Sequence, residues 1–152
     1  MHVYLVRHGD AVPADVDPRR PLSARGREAV NELAQLSASR QIQVAEICHS
    51  GILRAQETAE ILADYLKPPR GLRQITGLLP DDDPQFGKTE IETADEPILL
   101  VGHLPYMKRL AVLLAKGDGE RSRLEFGPAT MICCSKIGAG WQIDWQLQPR
   151  LS

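Results

Sequence analysis

The run Pro97-Ile98-Leu99-Leu100-Val101-Gly102 is apolar at every position. Strand side chains point alternately to opposite faces, so a strand with no polar alternation must be covered on both. His2 to Val6, ended by Arg7-His8-Gly9-Asp10, also reads as a buried strand, and Val44 to His49, ended by Ser50-Gly51, as a second strand. Sheets buried on both faces are mostly parallel and need helical crossovers. The chain supplies them. Ser23 reads as the cap of a helix to about Ser37, with Val30, Leu33 and Ala34 on its apolar face. A second helix from about Ile52 to Leu66 carries Ala55, Thr58, Ala59, Leu62, Tyr65 and Leu66 on one stripe and stops at Pro68-Pro69.

Further along, Leu72 to Ile75 reads as a short strand and the segment from Pro84 to Glu96 as one short helix. Pro105 opens a helix whose stripe is Met107, Leu110, Ala111 and Leu114, and Lys116 to Arg123 reads as polar loop. Thr130 to Ile137 and Trp141 to Leu147 form a hairpin through Gly138-Ala139-Gly140. In its second strand Trp141, Ile143, Trp145 and Leu147 alternate with Gln142, Asp144 and Gln146, which predicts one apolar and one wet face. The expected fold is α/β: a three-layer αβα sandwich with a mostly parallel sheet and an antiparallel C-terminal hairpin, in one domain over 1–152.

Charge narrows the possible partners. Eighteen Lys plus Arg against 20 Asp plus Glu leave a formal charge of −2, which supplies no global field for nucleic acid or an anionic membrane. Trp141 and Trp145 have no basic groove beside them and read as core or hairpin-face residues, not as a base-stacking platform. Any anion must be held by a local cluster. Cys48, Cys133 and Cys134 lie in apolar runs without a C-x-x-C spacing, so neither a disulfide frame nor a zinc site is indicated. The longest apolar stretches, Ile98 to Val101 and Leu110 to Ala115, fall far short of the roughly 20 residues that span a bilayer. The N-terminus enters a strand at once, without the basic segment of a signal peptide, so a reducing cytoplasm is the expected location.

Open α/β sheets bind ligands beyond the carboxyl ends of their strands. Arg7-His8 follows the first strand, Ser50 to Arg54 the second, and His103 the third clear one. Two imidazoles and two guanidiniums therefore converge on one rim, where the helix starts after Ser50 and Leu104 would add backbone N–H groups. Arginine forks match phosphate oxygens bidentately, so the cluster suits a dianionic phosphate. His8 is placed as an in-line nucleophile, which requires a neutral attacking nitrogen and a hydrogen bond that fixes the other. Arg7 and Arg54 would hold the equatorial oxygens, and His103, if protonated, would add charge. Arg54 sits at the positive end of a helix macrodipole, a conflict that a bound anion removes. Arg20, Arg25 and Arg27 read as solvated charges, with Arg20 or Arg25 nearest the rim. Ser23 and Gly26 read as cap and packing residues, Asp10 as a loop carboxylate, and His2 and His49 as structural.

Arg7-His8-Gly9, Ser50-x-x-x-Arg54-Ala55-x-x-Thr58-Ala59 and the strand-ending His103 resemble the histidine phosphatase (phosphoglycerate mutase-like) superfamily. Arg7-His8-Gly9-Asp10-Ala11, Arg20-Pro21-Leu22-Ser23-x-x-Gly26, Gly102-His103-Leu104-Pro105 and the final Trp-containing hairpin are similar to its SixA-type phosphohistidine phosphatase branch. The resemblance covers nearly the whole chain. It implies a hydrolase in which His8 is phosphorylated, Arg7 and Arg54 bind phosphate and His103 completes the pocket, with no metal or organic cofactor. Many members place an acidic proton donor between the second helix and the third strand; here Asp81, Asp82, Asp83, Glu90 and Glu92 match no such pattern. A weak or absent acid favours an N–P bond over a sugar-phosphate ester. The expected substrate is phosphohistidine on a signalling or phosphotransfer protein, with phosphate or sulfate as the ion that fits the site and neither nucleic acid nor membrane as partner. Alternatives are a small-molecule phosphomonoesterase with the same site, a non-catalytic phosphate-binding module, and a metallohydrolase built from His8, His103 and Asp10.

Overall fold

A strand that is apolar throughout belongs where neighbours cover both edges and both faces, and that is where the structure, a computed structural model describing residues 1–116 and 124–150, puts it. The elements are β1 (His2–Arg7), α1 (Ala24–Ser39), β2 (Glu46–His49), α2 (Leu53–Leu66), β3 (Leu72–Gln74), α3 (Gln85–Thr93), β4 (Ile98–Gly102), α4 (Tyr106–Leu114), β5 (Met131–Ile137) and β6 (Gly140–Leu147). The sheet order is β3-β2-β4-β1-β5-β6, and all five residues of β4 are buried. β1, β2, β3 and β4 pair in parallel, whereas β5 and β6 run antiparallel to their neighbours. Most of the loop expected from Lys116 to Arg123 lies outside the described residues.

Side-chain alternation builds two cores. Tyr4, Val6, Leu99 and Val101 meet Val30 and Leu33 of α1 and Ala59 and Leu62 of α2. Val3, Leu5, Leu100 and Ile132 meet Ile91 of α3 and Met107 and Leu110 of α4. The expected three-layer αβα arrangement is therefore the observed one. Glu57 clamps the two helices of the first layer: one carboxylate oxygen accepts the Leu22 N–H at 2.8 Å and the other pairs with Arg27 at 2.9 Å. Among the described residues, no helix is long and apolar enough to cross a membrane.

The C-terminal hairpin departs from the expected pattern. Its turn contains only Gly138 and Ala139, because Gly140 already pairs with Ile137. A bulge then breaks the register, with Cys134 opposite Ile143 but Cys133 opposite Trp145, leaving Asp144 as the extra residue. Adding one residue moves everything beyond it to the other face. Trp141 and Ile143 join the α3/α4 core, while Trp145 and Leu147 join the α1/α2 core. The strict alternation of β6 thus serves both layers instead of one apolar face.

The turn after β1 lies directly on α1. Ser23 caps the helix by accepting the Gly26 N–H at 2.9 Å. A Cβ on Gly26 would overlap the backbone carbonyl of Asp10, and one on Gly9 would lie 2.6 Å from Val30 Cγ2. Two glycines let a helix and a loop touch backbone to backbone. Gly26→Ala is expected to destabilise the protein by about 1–3 kcal/mol, the usual cost of overpacking, and to lower turnover by displacing the His8–Asp10 turn. Urea unfolding and a phosphatase assay on the same preparation check both effects.

Candidate active site

The register Arg7↔Gly102 ends two neighbouring parallel strands at one level, so His8 and His103 leave the sheet side by side. Backbone hydrogen bonds fix the segment from both sides. Arg7 donates to Thr130 O at 3.1 Å and His8 to Gly102 O at 3.0 Å, and Ala129 donates to His8 O at 3.2 Å. The Gly9 N–H donates to Thr58 Oγ1 at 3.1 Å, and that hydroxyl donates to Arg54 O at 2.8 Å. Thr58 therefore ties the β1 turn to the first turn of α2, where Arg54 is the second residue.

The two imidazole centroids are 5.0 Å apart. His8 Nδ1 is 2.7 Å from the Gly9 carbonyl oxygen, which can only accept, so Nδ1 carries the proton and Nε2 keeps its lone pair. His103 Nε2 is 2.7 Å from Ser50 Oγ, while its buried Nδ1 has no protein partner. Burial pushes His8 down to about 4; the Gly9 hydrogen bond opposes this, and Arg54, Arg7 and Arg20 add to it. Burial likewise pushes His103 down to about 3, reinforced by His8, Arg54 and Arg7. Both rings are neutral near neutral pH in the unliganded protein. The charged state considered for His103 is thus not its resting state.

Arg7 donates through Nη1 to Phe126 O at 3.1 Å, but among the described residues its buried Nε has no partner, and neither has the buried Nε of Arg54. Both guanidiniums are pushed below their ordinary range, first by burial. Buried donors are rarely left unpaired in folded proteins. Here two of them, on Arg7 and Arg54, belong to residues whose charges act on both imidazoles, and His103 Nδ1 is a third buried polar atom without a partner among the described residues. A tetrahedral oxyanion supplies the acceptors that they lack.

Carboxylates stay out of this cluster. The charges acting on His8 and His103 come from arginine and histidine, and only Arg7 feels Asp10. Asp10 Oδ2 accepts the Ser23 hydroxyl at 2.8 Å. Among the described residues, the ligand atoms of His8, His103 and Asp10 do not all lie within 4.8 Å of one another. Asp82 accepts the Leu79 N–H at 2.9 Å, Asp83 the Gln85 N–H at 2.9 Å, and Glu90 pairs with Arg73. Asp82 also lines a cavity of about 590 Å³ together with Ser50, Ile52, Gln74 and Phe86. His49 is structural, its Nδ1 accepting the Gly51 N–H at 3.0 Å.

The profile of the histidine phosphatase superfamily, branch 1, matches residues 3–76, which include Arg7, His8, Ser50 and Arg54. This match and the likenesses that follow support the histidine phosphatase superfamily for this chain. They likewise support the enzyme class expected from the sequence, a phosphatase and therefore a hydrolase. The chain is 27% identical to phosphohistidine phosphatase SixA of Escherichia coli (strain K12), over 98% of its own length and 94% of the relative's. Its fold is similar to that of the protein histidine phosphatase SixA complexed with tungstate, with a TM-score of 0.86 at 24% identity, covering 98% of this chain and 97% of that one. It is also similar to phosphoserine phosphatase from Entamoeba histolytica in complex with 3-phosphoglyceric acid, with a TM-score of 0.75 at 14% identity and 98% of each chain covered. These likenesses establish the phosphoglycerate mutase-like fold.

Two polar residues at the site were quoted in the sequence motifs but given no role. Ser50 and Thr58 flank Arg54 at i−4 and i+4, and both side chains face the turn rather than solvent: one meets His103, the other Gly9. Hydroxyls four residues either side of a helix-start arginine were the available signal.

The depressed imidazoles set a pH dependence. The unfolded chain takes up protons near 6.5, whereas His8 refuses one until about 4 and His103 until about 3. Stability therefore falls as pH drops from 6.5 towards 4. Thermal melts between pH 6.5 and 5, above most carboxylate titration, are expected to show this slope, and His103→Gln to flatten it.

Proposed function

We propose that this chain is a single-domain, cytoplasmic phosphohistidine phosphatase that works through a covalent phosphohistidine on His8. The observation that carries the reading is the set of three unpartnered buried donors, Arg7 Nε, Arg54 Nε and His103 Nδ1, beside an imidazole whose Nε2 is unprotonated. The guanidiniums take the equatorial oxygens of the phosphoryl group and stabilise the charge of a loose transition state. Ser50 donates its hydroxyl proton to His103 Nε2, so that Nδ1–H of the neutral ring donates to a third oxygen.

His8 Nε2 attacks phosphorus in line with the leaving nitrogen. The P–N bond of the substrate breaks and its electron pair stays on the departing imidazole, which leaves neutral because its other nitrogen is already protonated. Water then attacks the phosphorus of the His8 adduct. The P–Nε2 bond returns its pair to His8, and the water proton leaves with orthophosphate or solvent. The Gly9 carbonyl holds the Nδ1 proton throughout and balances the positive charge that the ring carries while phosphorylated. A protein-borne substrate agrees with a site formed where strands end and helices begin on the sheet rim.

Mass spectrometry of enzyme quenched after incubation with phosphoramidate is expected to find an acid-labile phosphate on His8. His8→Ala should lose it and reduce turnover on the order of 10³-fold or more. Arg54→Ala should lower kcat/KM by about 10²–10³-fold, as for loss of one charged transition-state ligand. A histidine-phosphorylated protein should be turned over far faster than a simple sugar phosphate. Equal rates on the two would turn the assignment towards a general phosphomonoesterase, and phosphate binding without any phosphoenzyme would leave a binding module.

A further inference from the structure

Arg20 lies on the loop joining the β1 turn to α1, and its backbone is left-handed at φ +48°. Side-chain-bearing residues adopt that region at a cost. Lys67 and Gln41 share it where α2 and α1 end, a usual place for it. Arg20 ends no helix. The loop around it is pinned: Val12 N–H donates to Pro21 O at 2.8 Å, Ser23 N–H donates to Asp10 O at 3.0 Å, and Ala11 bridges to Leu22. Arg20 Nε donates to Val12 O at 3.1 Å, which fixes the plane of the guanidinium and leaves both terminal nitrogens for another acceptor.

The neighbouring arginine behaves differently. Arg19 is exposed and paired with Asp17 at 3.0 Å, an ordinary surface contact. Arg20 is half-buried and makes no ion pair among the described residues. Its charge acts on both His8 and Arg54. A strained, anchored cation whose charge reaches the Arg54 guanidinium and the His8 imidazole, with no ion-pair partner among the described residues, raises the energy of the empty site. Strain and like-charge crowding of this kind persist where a ligand relieves them. We propose that Arg20 is a third guanidinium ligand of the phosphoryl group, held in place by the pinned 10–23 loop. The assignment rests on the phosphatase reading above and extends it: three fixed cations match a doubly charged phosphoryl group better than a singly charged anion.

Calorimetric binding of inorganic phosphate tests this without turnover, alongside kcat/KM on phosphoramidate, a substrate with no protein part. Glycine suits φ +48°, so Arg20→Gly should fold with an unchanged or higher Tm. It should nevertheless weaken phosphate binding by about ten- to a hundredfold, the worth of a charge-assisted hydrogen bond, and lower kcat/KM similarly. Arg20→Lys should recover part of the loss. If the glycine variant melts early, Arg20→Gln, which keeps a side-chain donor for the Val12 carbonyl, reports the same loss of charge. Unchanged phosphate affinity in Arg20→Gly or Arg20→Gln, with wild type binding normally, overturns the proposal and leaves the phosphatase reading intact. Loss confined to a histidine-phosphorylated protein also overturns it, because Arg20 would then be touching the carrier. Failure of the wild type to bind phosphate would instead remove the reading on which the proposal rests.

Discussion

Positive charge without a counterion is the constraint around which this molecule is arranged. Arg7, Arg54 and Arg20 bring three guanidiniums to bear on His8, and carboxylates are missing from the charges that reach that ring. Burial and mutual repulsion both work against such a cluster, and both imidazoles respond by staying neutral. A fold can keep the arrangement only if the backbone that carries it cannot relax. The tight contacts of Gly9 and Gly26, the Thr58 bridge and the paired ends of β1 and β4 supply that rigidity. On the phosphatase reading proposed above, the free energy stored in the empty site would be released on binding an anion, despite the protein's overall negative charge.

Neutral imidazoles also suit the division of labour. A protonated His8 could not attack, and burial, reinforced by the neighbouring cations, keeps it unprotonated across the physiological range. His103 needs no charge to help, because Ser50 can satisfy one nitrogen and leave the other as a donor. A dianion entering the site would draw protons towards His103 and offset the guanidiniums. Binding and protonation are therefore coupled in the direction that favours phosphate over a monoanion.

What was legible in the sequence was what burial dictates. Ile98 to Val101 could only be central, and the residues at strand ends could only gather on one rim, so His8, His103, Arg7 and Arg54 were visible before any coordinates. Ser23 and Gly26 were readable as cap and contact because a glycine in a helix's first turn needs a reason. The split of β6 between two cores was not readable. A bulge leaves the apolar spacing unchanged and alters only the partner strand's register. Arg20 was ambiguous for a similar reason. Its neighbour Arg19 has the same chemistry and faces solvent, and only the left-handed backbone and the Val12 hydrogen bond separate them.

The placement of the acids bears on which bond such a site can break. An alkoxide leaving group needs a proton as it departs, and a carboxylic acid within reach is the common source. Asp82 and Asp83 are engaged in the turn before α3, Glu90 is paired with Arg73, and Asp10 accepts from Ser23. These engagements leave Asp82, which shares a cavity with Ser50, as the carboxylate an ester hydrolase would have to recruit at the expense of its turn. A protein acting on phosphohistidine loses nothing by them, because the leaving imidazole brings its own proton. The surroundings of the acids thus point the same way as the cations, towards the proposed reading in which the site holds a phosphoryl group, attacks it and leaves the departing group to supply its own stability.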